Sequence, residues 1–320
     1  MSAAQAHEST AEPRRERPIS FAAEKKIARD LSPGIAWPTV ALAVLLPLIL
    51  GGLIYAGLSG AVAPAWLTLP IAFISYAHYS LVHESIHGNV VAAPRSLAFV
   101  NVIVGWIGSI GLGMGWPILQ RTHVLHHSHT NTEKDPDISV KGTFWQLMWK
   151  WAVGIPQSLV PYFLLPFIAR GGYSGLRSIL SVREVWLSSL PTLFTLALLG
   201  VAIATGHVLD WLLLWFLPTR LAVLMLMVFF QWLPHYPFDR TDRYGATRIS
   251  LWPGGDVILL LQNLHLMHHL WPGVPFYNYR RLFVALRPLL VAEGSRIEGL
   301  GVGPWARRIE LAEPAPRKAA

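Results

Sequence analysis

Three histidine clusters, His83-Glu-Ser-Ile-His87, His123-Val-Leu-His126-His127 and His265-Leu-Met-His268-His269, hold eight of the thirteen histidines in this chain. Histidines at i and i+4, or at i, i+3 and i+4, share one face of a helix, so each cluster can aim two or three imidazoles at a common point. Imidazole-rich sites suit zinc, copper, iron or nickel. Eight neutral nitrogen donors exceed what one tetrahedral zinc accepts, and two ions are the economical reading. Soluble di-iron bundles use two Glu-x-x-His motifs and further glutamates, whereas the clusters here offer Glu84-Ser-Ile-His87 alone in that form. A mainly nitrogen-ligated analogue is therefore expected. The chain contains no cysteine, which excludes disulfides, cysteine-ligated iron–sulfur clusters and thiolate haem. Electrons used at such a site must arrive from another protein.

Composition says what positions these clusters. Hydrophobic residues make up 53% of the chain and charged residues 14%, with a mean hydropathy of +0.42. Soluble domains carry roughly 25% charged residues. The net charge of +8 has no base-stacking pattern around it, which argues against nucleic acid. Basic residues gather instead at the ends and between apolar runs, as in Lys25, Lys26 and Arg29, then Arg280, Arg281 and Arg287. That is the distribution of a positive-inside membrane protein, and the fourteen tryptophans fit headgroup-level anchors.

Four runs near the roughly 20 residues a bilayer requires are Trp37 to Leu58, Ala63 to Leu81, Trp186 to Ala204 and Val208 to Phe230. Short links pair them into two hairpins. With a basic N-terminus in the cytoplasm, the first and third clusters emerge on the cytoplasmic side. The segment Leu97 to Leu119 is apolar enough to span, but crossing there would put the second cluster on the opposite face. Its glycines make it a poor lone span, so it is expected to be re-entrant or interfacial. Phe144 to Ile168, broken by Lys150, Pro156, Pro161 and Pro166, is expected to lie along the surface. The expected fold is an all-α integral membrane protein of the cytoplasmic membrane: four transmembrane helices in two hairpins, interfacial or re-entrant helices, and a cytoplasmic histidine-rich cap. Residues 1–36 read as a disordered cytoplasmic tail, 37–290 as the membrane domain and 291–320 as a second cytoplasmic tail.

The remaining polar candidates carry less. His78 and His207 read as helix-packing or proton-relay residues rather than ligands, and His7 as part of the tail. His129, three residues after His126, and Asp135 and Asp137, soon after the second cluster, are expected beside the metal ligands. Carboxylates there would take the second N–H of a ligating imidazole, or simply build a solvated Asp-Pro-Asp turn. Glu84 is read as a nearby or surface carboxylate rather than a ligand.

The triple cluster resembles the membrane fatty acid desaturase superfamily, over about residues 70–290. The run His126-His-Ser-His-Thr-Asn-Thr-Glu-Lys-Asp-Pro-Asp137 is similar to that superfamily, and the stretch from Trp232 to Tyr279, with LPHYPF and QNLHLMHHLWPGVPFYNY, resembles its β-carotene ring hydroxylase branch. The resemblance implies two iron ions, a cytoplasmic cap and a ninth ligand, His235. It also makes Gln231, four residues earlier, a candidate for holding a metal-bound water, although a glutamine departs from the family's asparagine. Dioxygen as co-substrate, two electrons from ferredoxin or a similar donor, and 3-hydroxylation of β-carotene towards zeaxanthin are further implications.

An unactivated methylene offers neither an acidic proton nor an electrophile, so its oxidation demands hydrogen-atom removal. Hydroxylation and desaturation then diverge on ångström-scale placement. An acyl desaturase or hydroxylase would share every ligand. A metal transporter predicts sites at the membrane midplane with intramembrane carboxylates, and the clear spans carry almost none.

Overall fold

The computed structural model describes residues 17–165 and 179–301. The ends expected as tails, residues 1–16 with His7 and residues 302–320, lie outside them, as does the end of the Phe144 to Ile168 segment. Helices α2 (Trp37–Leu58) and α3 (Pro64–Ile86) form the first hairpin, each opened by proline in its first turn. The second joins α7 (Val182–Thr205) to the irregular helix α8 (Val208–His235). Ser181 and Glu184 build a capping box that starts α7, and left-handed Gly206 stops it. Among the described residues these are four of five helices long and apolar enough to cross a membrane; the fifth is Arg95–Leu112. The chain is an integral membrane protein.

That fifth segment holds α4 (Phe99–Leu112), which stops at left-handed Gly113. It runs antiparallel to α3, with Gly105 against Ser85, Gly108 against Val82 and Gly111 against His78. The end of α4 therefore reaches only about the middle of α3. Helix α5 (Trp116–His129) then runs back towards the face α4 came from, and Ile118 N–H donates to Ser188 Oγ (3.1 Å) while Arg121 pairs with Glu184 (2.8 Å) near the start of α7. The pair is re-entrant, as parity requires. The glycines serve close packing rather than weakening the segment: a Cβ at Gly108 would sit 2.7 Å from the His78 carbonyl oxygen.

Helix α6 (Phe144–Gln157) departs from the expected surface placement. Phe144 packs on Trp232 (6.0 Å between rings), and about two turns later Trp151 Nε1 donates to the Arg220 carbonyl (2.8 Å). The helix thus descends beside α8. Phe163 then stacks on Trp186 (4.1 Å), back near the start of α7, so the segment makes a second re-entrant excursion. Trp145 (78% exposed) and Trp149 (71%) form its outer stripe, while Leu147 is buried against Trp232. The polar residues that spoil a straight span, Lys150, Gln157 and Ser158, border a cavity open on one side.

The segment expected as a disordered N-terminal tail contributes α1 (Phe21–Asp30), capped by Ser20. Its Glu24 is fully buried and accepts hydrogen bonds from Tyr244 Oη and Trp271 Nε1 (both 2.7 Å). The helix shares a core with α9 (His265–Leu270) and α10 (Tyr279–Ala292). Part of the expected C-terminal tail is ordered too. Strand β2 (Arg296–Glu298) pairs in parallel with β1 (Arg248–Ser250), closing the cap behind the third histidine cluster.

Candidate metal centre

Each cluster sits where a helix ends at this cap: His83 and His87 at the end of α3, the second cluster in the last turns of α5, the third on α9, and His235 as the last residue of α8. A π-helical stretch over Met227–Trp232 precedes His235 and resets the phase of α8, a device common at functional sites. The structure brings all nine of these imidazoles together.

They sort into two groups: His83, His87, His123 and His268 in one, and His126, His235, His265 and His269 in the other. Helical spacing makes the division. His265 and His269, at i and i+4, face one group, and His268 between them faces the other; His123 and His126 divide in the same way. His127 stands between the groups, with its Nε2 3.2 Å from His123 Nε2 and 2.7 Å from His268 Nε2. Other Nε2 separations are 3.0 Å for His83 and His268, 2.9 Å for His87 and His123, and 3.2 Å for His235 and His265. Nitrogens at about 2.0–2.1 Å from one ion lie roughly 2.9–3.4 Å apart, so the spacing suits metal coordination.

The outward nitrogens fix the tautomers. His126 Nδ1 donates to Asp135 Oδ1 (2.9 Å), His235 Nδ1 to Asn131 Oδ1 (3.1 Å) and His265 Nδ1 to Gln262 Oε1 (2.8 Å). His268 Nδ1 lies 3.0 Å from the Tyr279 hydroxyl. A proton on Nδ1 leaves the Nε2 lone pair bare and aimed inward. Converging lone pairs repel unless a cation sits among them, and this donor set fits metal ions.

Electrostatics agree. Burial, reinforced by neighbouring imidazoles, holds His87, His123, His265, His268 and His269 below the ordinary histidine range. The same causes lower His127 to about 3. His126 is the exception: burial opposes its charge, but Asp137 and Asp135 raise it.

Among the residues expected beside the ligands, Asp135 is the best placed. It also accepts from the backbone N–H of Asn131 (2.7 Å) and of Asp137 (2.9 Å), so it anchors the loop as well as His126. Asp137 lies 3.7 Å from His126 Nδ1 and accepts from Gln231 Nε2 (3.0 Å). Gln231 joins neither histidine group; it borders a cavity of about 270 Å³ that also touches His123 and Asp137. His129 is in neither group, and its carbonyl accepts from Thr132. Glu84 is fully buried rather than superficial, with Oε1 accepting from Phe276 N–H (3.2 Å) and 3.7 Å from His83 Nδ1. His78 donates to the Ile74 carbonyl and packs on Gly111, and exposed His207 pairs with Asp210, so both stand apart from the centre.

Sequence reasoning missed Asn131, Gln262 and Tyr279. Gln262 precedes His265 by one helical turn, which is a usable signal; Asn131 depends on a left-handed backbone (φ 63°) that spacing does not reveal.

Fold and site together define a helical membrane protein with a buried polyhistidine centre at one face. The chain belongs to the fatty acid desaturase family, whose profile matches residues 58–299. Curated relatives include a beta-carotene ketolase of Paracoccus sp. strain PC1, 27% identical over 225 residues, and another of Paracoccus sp. strain N81106, 29% identical over 220 residues. Each alignment covers 66% of this chain and 75% of the relative. Membership of that family makes the chain an oxidoreductase.

Proposed function

We propose that this protein is a di-iron membrane oxygenase that inserts oxygen into a ring methylene of a carotenoid. The observation that carries the reading is the convergence of nine imidazoles, four of which, His126, His235, His265 and His268, have their outward nitrogens held by Asp135, Asn131, Gln262 and Tyr279. With His83, His87, His123, His127 and His268 on one side and His126, His235, His265 and His269 on the other, they would hold two ions. When bound, the iron pair supplies a site for dioxygen and the oxidising power to break an aliphatic C–H bond. One turnover consumes dioxygen, two electrons and two protons, giving an alcohol and one water. A ketone requires a second round.

The protein's own residues prepare that step. Apolar side chains of Tyr79, Ile118, Leu119 and Leu226 line the cavity beside His123, keeping water away and holding a greasy ring against the centre. Asp137 and Gln231 put polar groups on the wall nearest the histidines. Electrons would come from ferredoxin or a similar donor. Exposed Lys25, Lys26 and Arg29 on α1 and Arg280 and Arg281 on α10 support a cytoplasmic position for this face. The resemblance of the Trp232 to Tyr279 stretch favours 3-hydroxylation, the ketolase relatives favour oxidation to a ketone, and the family also contains acyl desaturases.

Expression in cells accumulating β-carotene, with pigments and fatty acids both profiled, tests the reading. A 3-hydroxylated pigment supports the hydroxylase, a ring ketone the ketolase. New unsaturated acyl chains with unaltered pigment would overturn the carotenoid assignment.

A further inference from the structure

We propose that Arg220 anchors a hydrogen-bond acceptor oxygen on the substrate, roughly 15 Å along α8 from the wall of the histidine centre. The proposal rests on the ring-oxygenase reading and narrows it to a ring-bearing polyene with a terminal carbonyl.

The cavity beside His123 adjoins a second one of about 260 Å³, and the two share Met114, Val223 and Met227 as walls. Arg220, Val223, Met227 and Gln231 fall at i, i+3, i+7 and i+11 on α8 and line these two adjoining cavities. Gln231 marks the histidine end and Arg220 the distal end. Eleven residues at 1.5 Å each set the separation, shortened slightly by the π-helical stretch.

Arg220 is nine-tenths buried within a membrane-spanning helix. Its Nη2 donates to the Gly113 carbonyl (3.2 Å), at the end of α4. Among the described residues its Nε has no partner. A guanidinium carries five N–H groups and accepts nothing, so a buried one short of acceptors is costly; that of Arg220 also lies over the Phe216 ring (5.8 Å). The cavity they border also holds Gln157, Ser158 and Thr192. A molecule seated there adds to these contacts by bringing an acceptor oxygen to the terminal N–H groups of Arg220.

Length selects the class of molecule. An extended chain advances about 1.2 Å per bond, so a ring methylene at the centre and an oxygen at Arg220 are separated by about twelve bonds. A twenty-carbon apocarotenal has that separation. A forty-carbon hydrocarbon has no oxygen to offer.

The test compares all-trans-retinal with axerophthene, its hydrocarbon analogue bearing a methyl in place of the carbonyl. Binding to the iron-loaded full-length protein is followed by absorbance titration, independently of turnover. The wild type should bind retinal about 10–100-fold more tightly, and Arg220→Met should erase that difference while Arg220→Lys keeps part of it. Iron content and melting temperature are measured on all three proteins. Equal affinity for both ligands in the wild type overturns the proposal, as does a variant that loses iron, stability and both ligands together, which would make Arg220 solely a cap for α4. Failure of the ring-oxygenase reading shows separately, as absence of any ring-oxidised product from either retinal or β-carotene.

Discussion

The side-chain oxygen of Asn131 lies 3.1 Å from Nδ1 of His235, joining residues 104 positions apart in the chain. The amide cannot turn over, because its Nδ2 donates to the carbonyls of Arg240 and Ala246 (both 2.7 Å). Asn131 therefore presents an acceptor to His235 and selects its Nδ1–H tautomer. Asp135 in turn holds the Asn131 backbone, so one short loop orients His126 and His235 together.

Asn131→Leu should consequently weaken iron binding about 10–100-fold, the usual cost of losing a partner behind a ligand. Iron retained after dialysis against graded chelator reads this directly. Retention equal to wild type would show that the tautomer of His235 is set elsewhere.

The close approach of α4 to α3 gives a second expectation. Gly108→Leu places side-chain atoms against the α3 backbone at His78 and Val82, where a Cβ alone would lie 2.7–2.9 Å from main-chain atoms. Overpacking of this kind costs about 1–3 kcal/mol or more, and here it also pushes away the helix leading to His83. Both melting temperature and iron content should fall. Gly154→Leu, where nothing lies within 4 Å of the added Cβ, is the matched control and should leave both nearly unchanged.

The metal centre was readable because helical periodicity converts sequence spacing directly into a face. The three clusters needed no tertiary information to declare two or three inward nitrogens each. His235 is a lone histidine, and only resemblance pointed to it. The four long spans were equally legible, since bilayer thickness dictates their length. The re-entrant course of Leu97 to Leu119 followed from parity, but the reason assigned to its glycines was wrong, because close packing is a property of two helices and not of one. Helix α6 was misplaced for a related cause: Lys150, Gln157 and Ser158 look incompatible with membrane depth until a polar cavity is available to receive them. Glu24 illustrates the same limit at the N-terminus, where a mixed-charge segment reads as disordered unless its partners Tyr244 and Trp271, more than 200 residues away, are known.

Those partners make Glu24 a testable anchor. Glu24→Ala leaves Tyr244 Oη and Trp271 Nε1 without their acceptor in a buried site, at a cost of about 1–3 kcal/mol. Helix α1 should undock from α10, and limited proteolysis should cut faster between Leu31 and Ala36. An unchanged cleavage pattern would mean that α1 is held by its apolar contacts, Ile27 and Ala28, alone.

The buried imidazoles also predict how stability varies with pH. An unfolded chain protonates its histidines near about 6.5, whereas burial holds His87, His123, His265, His268 and His269 lower, and His127 at about 3. Below about pH 6.5 the unfolded state therefore binds more protons than the folded state, and stability must fall as pH drops; above it these groups contribute no slope. His126, raised by Asp137 and Asp135, and Asp137, raised by burial, oppose the trend but are two groups against six. Metal-free protein should thus melt at a lower temperature at pH 5.5 than at pH 7.5. Anaerobic addition of ferrous iron at pH 7.5 should raise the melting temperature, because the ion binds the folded donor set and not the dispersed histidines of the unfolded chain. A metal-free melting temperature that is flat from pH 7.5 to 5.5 would mean that the folded imidazoles titrate where the unfolded ones do; one that rises as pH falls would mean that they hold protons at neutral pH, and the converging Nε2 atoms would then be donors instead of ligands.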